Sequence, residues 1–214
     1  MAKKAKTSLL DSHRKAQRHL SRCDPTLANL IERVGPCTLQ PRGEAFEVLV
    51  RAIISQLIST KAAITISARV LAALAPHGMK PAALTAVSED ALRGAGLSRA
   101  KALALKDLAG RAESGELPLA RLSEMTDEEV IDCLIAVRGI GRWTAEMFLI
   151  FSLGRLDVLP VDDLGLRAGV QSVYELPELP VRAALRELAE PWRPYRSIAT
   201  WYFWRSRGSV PQSK

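Results

Sequence analysis

The chain has 214 residues, 48% hydrophobic and 25% charged, which suits one good-sized domain or two small lobes and excludes a disordered chain. Its 30 lysines and arginines against 23 acids give a net charge of +7 and a pI near 9.6, a surplus that favours a polyanionic partner. Cys23, Cys37 and Cys133 show no C-x-x-C spacing, which excludes a disulfide framework and a structural zinc; no apolar run reaches the ~18 residues of a membrane span, so a soluble, intracellular protein with no membrane partner is expected.

The N-terminal stretch MAKKAKTSLLDSHRKAQRHL is basic and lacks the apolar core of a signal peptide. GEAFEVLVRAIISQLIST places Phe46, Leu49, Val50, Ile53, Ile54 and Leu57 at steps of three and four, the stripe of a helix with one buried face. TKAAITISARVLAALA repeats that habit. Ser88, with Glu89 and Asp90 behind it, caps a short helix. SRAKALALKDLAGRAESG opens at Ser98 and closes near Gly115. Thr126 and Glu129 form a capping box for DEEVIDCLIAV. The one strand-like stretch, LDVLPV, is short and broken by Pro160. Pro180 opens and Pro191 closes VRAALRELAE, and a last helix runs through YRSIATWYFWRSR. The periodicity predicts an all-α protein of about ten helices. One echo stands out: LRGAGLSRAKAL from Leu92 resembles VRGIGRWTAEMF from Val137, and with no third copy it is not a solenoid.

The second copy concentrates chemistry in one turn. Gly139 and Gly141 permit a sharp reversal and expose main-chain N–H groups where the next helix begins, and Arg142 adds a cation. Together they fit a DNA phosphate, a contact indifferent to sequence; the same letters also fit an ordinary helix–helix turn. Further on, Asp162 and Asp163 follow Pro160 at a helix start. One acid can cap that helix while the other faces outward, kept ionised by the helix dipole. A fixed carboxylate of this kind can stabilise positive charge that develops in a transition state and orient a water. His13, His19 and His77 are isolated and are expected to be solvated, with no metal.

LIAVRGIGRWTA resembles the helix-hairpin-helix element of DNA repair glycosylases, and VLPVDDLGLRAGV resembles the catalytic segment of the same superfamily. AFEVLVRAIISQLIST and WRPYRSIATWYFW resemble further segments of its 3-methyladenine DNA glycosylase II branch, so that the likeness runs in order from about Ala45 to Trp204. The family fold implied is two helical lobes with a DNA-binding cleft between them, here in a compact form without an N-terminal β domain. The division expected is residues 1–50 plus 164–214 for one lobe and 51–163 for the other.

The resemblance implies site residues. Asp163 holds the catalytic place and Asp162 the cap, although counting from P-V-D in distant relatives makes Asp162 catalytic. Trp143, Trp204 and Met147 line the base pocket, where indole faces attract the cationic alkylated purine; core packing is the other fate of these tryptophans and is expected for Trp192 and Trp201. Met147 stands where the family often has Tyr. Leu57 is placed as the wedge that fills the gap left by a flipped base, with Gln56 toward the orphaned strand; alternatively Leu57 only ends its helix stripe. Gly139, Gly141, Arg142 and Thr144 form the phosphate-binding set, and the carbonyls of Ile135, Val137 and Ile140 would hold a monovalent cation. Trp143 occupies the position where strand-cutting relatives carry a Schiff-base lysine. No Cys follows Cys133, so no iron–sulfur cluster is expected and no cofactor is required.

The expected activity is therefore monofunctional excision of alkylated purines from double-stranded DNA by a monomer, leaving an abasic site. Excision of deaminated or oxidised bases, and a non-catalytic DNA-binding hairpin, are the alternatives.

Overall fold

A computed structural model of the chain describes residues 2–208 and 210, with side chains from residue 9 onward. Twelve α-helices and two short 3-10 turns make up the described residues, which contain no strand; LDVLPV is irregular backbone. The chain divides into two compact units, one formed by Met1–Pro41 with Gly154–Ser213, the other by Arg42–Leu153.

The first unit contains α1 (Ala2–Cys23), α2 (Pro25–Val34), α10 (Leu164–Val173), α11 (Arg182–Leu188) and α12 (Arg196–Ser206). Residues Ser197 to Trp204 of α12 are all buried, as befits a helix surrounded on every side. It packs on α1, α2 and α10. Gly169 makes the α10 contact close: a Cβ there would lie 2.8 Å from the Phe203 carbonyl oxygen. Asp24 ties the base of the unit together. Its carboxylate caps α2 by accepting from Thr26 and Leu27 N–H, and also accepts from the Tyr174 hydroxyl and Trp192 Nε1. α11 ends at Leu188 and Pro191 sits inside the 3-10 turn Glu190–Trp192, so the proline follows the helix end instead of causing it.

The second unit contains α3 (Ala45–Ser55), α4 (Thr60–Ala73), α5 (Pro81–Ala86), α6 (Glu89–Gly94), α7 (Arg99–Ser114), α8 (Asp127–Ile135) and α9 (Arg142–Phe151), with a 3-10 turn at Leu119–Arg121. The caps expected at Ser88, Ser98 and Thr126 are all formed, the last as a reciprocal capping box, and Gly115 ends α7 in the left-handed conformation. α7 packs on α3, α5 and α6, and α9 on α8 and α3.

The unit boundaries fall nearly ten residues earlier at both joints than the sequence division at 50 and 163. α3 belongs with the second unit from its first turn, because Phe46, Leu49 and Val50 are buried and the helix packs on α4, α7 and α9. The stretch after Gly154 belongs with the first, strapped to the start of α12. Asp157 pairs with Arg193 and Arg196, Ser197 N–H donates to the Leu156 carbonyl, and Val158 N–H donates to Ser197 Oγ.

All three cysteines are free, and burial pushes the Cys37 thiol up to about 12. His13 is buried, not solvated. Its Nδ1 lies 3.2 Å from the Cys37 carbonyl, and burial holds its pKa below the ordinary value. Among the described residues no helix is long and apolar enough to cross a membrane.

Candidate functional site

The hairpin between α8 and α9 is anchored by two buried side chains, Val137 and Ile140. Val137 N–H donates to the Leu134 carbonyl and Ile140 N–H to that of Val137. Gly139 lies at φ +78° and makes the reversal, a conformation that a β-branched residue resists. Gly141 is extended and is the N-cap of α9, with no side chain to close it. The first helical N–H groups thus emerge without a local side-chain acceptor. Arg142 is exposed but not an unpaired cation. Its guanidinium makes two hydrogen bonds to Glu128, at 2.5 and 3.0 Å, and one to Glu146 at 3.3 Å. That pairing holds the Glu128 carboxyl below its ordinary pKa. Three acids in the first turn of α8, more than its capping box uses, were the available sign of such a pairing. Thr144 is nearly buried and offers a phosphate little surface.

A second turn touches the first. The helix read through Leu57 ends at Ser55. Leu57 lies outside it at φ +56°, completely exposed at 104%, so it does not finish an apolar stripe. A left-handed conformation at a leucine is uncommon, on the order of 1–3 kcal/mol uphill, and persists where neighbours enforce it. Gln56 Nε2 donates to the Gly139 carbonyl at 2.9 Å, which binds this turn to the hairpin. Lys101 Nζ, from α7, donates to the carbonyls of Ile54 at 2.7 Å and Gln56 at 2.6 Å. Nothing in the spacing of the sequence marks Lys101 for this contact.

In the first unit the capping role expected of Asp162 falls to Asp163. Asp163, not Asp162, is the N-cap of α10. Its Oδ1 accepts from Leu166 N–H at 2.5 Å and from Trp204 Nε1 at 2.8 Å, and the residue is buried. Asp162 is exposed and ion-paired with Arg182. The reason is the turn itself: Asp163 N–H donates back to the Pro160 carbonyl, which leaves Asp163 as the last non-helical residue. Trp204 is wholly buried and its indole N–H donates to Asp163, so the ring edge holds the carboxylate. Met147 is likewise buried inside α9, while Trp143 is 41% exposed. Trp192 and Trp201 are core residues, as expected.

Of the carbonyls considered for a cation, Val137 already accepts Ile140 N–H. Ile135 is half-exposed at the end of α8. These are neutral main-chain oxygens from a single turn, a donor set that suits a monovalent ion better than a divalent one. Among the described residues no cluster of three His, Cys, Asp or Glu is placed to hold a metal.

Residues 50–194 match the model of the HhH-GPD superfamily base excision DNA repair proteins, and the chain belongs to that superfamily. It is 35% identical over 207 residues to DNA-3-methyladenine glycosylase 1 of Schizosaccharomyces pombe, covering 94% of this chain and 90% of that protein. It is 33% identical over 198 residues to alkylbase DNA glycosidase-like protein mag2 of the same yeast, covering 90% and 93%. Among solved structures, a DNA-3-methyladenine glycosidase from Bacillus halodurans superimposes with a TM-score of 0.84 at 37% identity, over 90% of this chain and 89% of that one. The Schizosaccharomyces pombe 3-methyladenine DNA glycosylase Mag1, in complex with abasic DNA, superimposes with a TM-score of 0.78 at 34% identity, over 94% and 100%.

Proposed function

We propose that this chain is a DNA glycosylase that flips out and excises 3-methyl and 7-methyl purines, leaves an abasic site and does not cut the strand. The observation that carries the reading is Asp163: a buried carboxylate held rigid by a helix N–H and an indole N–H, in a chain whose relatives bear the names above. As the C1′–N bond breaks, its electron pair leaves with the base and positive charge grows on the sugar. A carboxylate fixed beforehand stabilises that charge without reorganising. Water then bonds to C1′ and releases a proton. An alkylated purine is cationic and departs as a neutral base, so no strong general acid is required.

The other residues take supporting parts. In this reading the indole of Trp143 attracts the cationic ring and supplies no amine for a Schiff base. Leu57 fills the stack vacated by the flipped base. Gly139 and Gly141 bring the N–H groups at the start of α9 to the DNA backbone, and the carbonyls of Ile135, Val137 and Ile140 would hold a monovalent cation beside it. The enzyme works as a monomer on damaged duplex DNA.

The test is release of free bases from methylated DNA, separated by chromatography. Asp163→Asn should lose two or more orders of magnitude in rate, about the effect of deleting one preorganised charge-stabilising group, while binding of an abasic duplex persists. Near-normal release by Asp163→Asn, with loss in Asp162→Asn, would transfer the role to the neighbouring acid.

A further inference from the structure

α3 stops without a stop signal. The residues after Ser55 are Gln56, Leu57 and Ile58, with no glycine or proline to break the helix. What ends it comes from another helix. The carbonyls of Ile54 and Gln56 converge on one ammonium, Lys101 Nζ, at 2.7 and 2.6 Å. Carbonyls at a helix C-terminus carry partial negative charge, and a cation satisfies them.

The same face of α7 also seats the hairpin. Three residues on from Lys101, Ala104 lies beneath Gly139, 3.5 Å from where a Cβ would stand. Three further on, Asp107 Oδ2 accepts from Arg138 N–H at 2.7 Å. Residues at steps of three share one helix face. Gln56 closes the circuit through its bond to the Gly139 carbonyl. Lys101 is partly buried, and burial lowers its pKa from the usual lysine value; two carbonyl acceptors at short range offset that desolvation.

We propose that Lys101 is a positioning residue for base flipping: it fixes the α3 terminus so that Leu57 stands out in its left-handed conformation, and Gln56 registers that turn against the hairpin. This rests on the reading of Leu57 as the residue that fills the emptied stack. A wedge on a loose turn would lose the entropy of ordering only on DNA and would bind the gap more weakly.

The experiment compares single-turnover release of 7-methylguanine from a duplex and from the same strand alone, where no partner strand has to be displaced. The readout is the duplex-to-single-strand ratio of rates, which a general loss of folded enzyme does not move. Leu57→Ala and Lys101→Met should each lower it about tenfold, and the double variant should fall no further than Leu57→Ala, since both act on one element. Lys101→Arg, which keeps a cationic donor, should recover most of the ratio, and Gln56→Ala should lower it a few-fold. An unchanged ratio in Leu57→Ala overturns the wedge reading itself. A lowered ratio in Leu57→Ala with an unchanged one in Lys101→Met, or with losses that multiply to about a hundredfold in the double variant, overturns the role of Lys101 and leaves the wedge standing.

Discussion

Two turns in the second unit share the letters Arg-Gly-x-Gly, yet the chain uses the pair differently in each. Before α7, the first glycine, Gly94, is still helical, the second, Gly96, makes the reversal at φ +104°, and α7 starts two residues later at a serine cap. Before α9, the first glycine, Gly139, makes the reversal at φ +78°, and the second, Gly141, is itself the cap. Ser98 Oγ accepts from Lys101 N–H, so α7 closes its own N-terminus. Gly141 has no side chain with which to do the same. A two-residue shift in where the helix begins separates an N-terminus closed by its own serine from one whose cap residue has no side chain.

The largest test of that contrast exchanges each reversing glycine for valine. Gly139→Val forces a β-branched residue to φ +78° and disturbs the carbonyl that Gln56 holds. Affinity for any duplex, damaged or not, should fall by about tenfold or more, as expected when 1–3 kcal/mol of strain sits in a binding turn. Gly96→Val is strained too, its Cβ 3.3 Å from the Ile66 side chain, but should lower the melting temperature and leave the affinity of the folded fraction alone. Equal affinity losses from the two, by fluorescence anisotropy, would mean that the turns are not functionally distinct.

Making the caps alike is a gentler intervention. Gly141→Ser supplies the missing acceptor. A serine in place of a glycine cap changes stability by only a few tenths of a kcal/mol, so melting should barely move, while duplex affinity should drop several-fold as the hydroxyl occupies the helical N–H groups. Ser98→Ala should do the opposite, costing about 1 kcal/mol of stability with binding intact. If Gly141→Ser binds duplex as tightly as the parent, the open cap is not where phosphate sits.

The smallest effect concerns Arg142, which α7's turn does not echo. Glu128 and Glu146 share its charge. Glu128→Gln should therefore tighten duplex binding two- to threefold and steepen its salt dependence by less than about one unit. No change in the salt slope would show that Arg142 takes no part in contacting the backbone.

What could be read from the sequence was mostly what neighbours in the chain decide. Ser98, Thr126 with Glu129, and Gly115 act within four residues of the groups they satisfy, and the amphipathic stripes of α3 and α8 are local as well. The glycine pair was legible as a turn with unclosed N–H groups for the same reason. Most of what the sequence did not reveal involves a distant partner. Leu57 continues the stripe of α3 on paper, but α3 ends at Ser55, where the turn bonds Lys101, 45 residues beyond Gln56, and Gly139, 83 beyond it. Trp204 is separated from Asp163 by 41 residues, and no spacing rule says whether an indole will stack on a ligand or hold a carboxylate. Asp162 and Asp163 are equivalent as letters; one backbone bond to Pro160 decides which becomes the cap.

The net charge has an address. Seven of the 30 lysines and arginines, and one of the 23 acids, lie in the first 23 residues, so six of the seven surplus charges belong to the segment that forms α1. At 22 residues and 1.5 Å of rise each, that helix is roughly 33 Å long, several times the ~8 Å over which charge is felt at physiological salt. Its 191 remaining companions in the chain carry a surplus of one. To a distant polyanion the surplus charge of the chain is thus concentrated in its N-terminal segment, and long-range attraction acts there first.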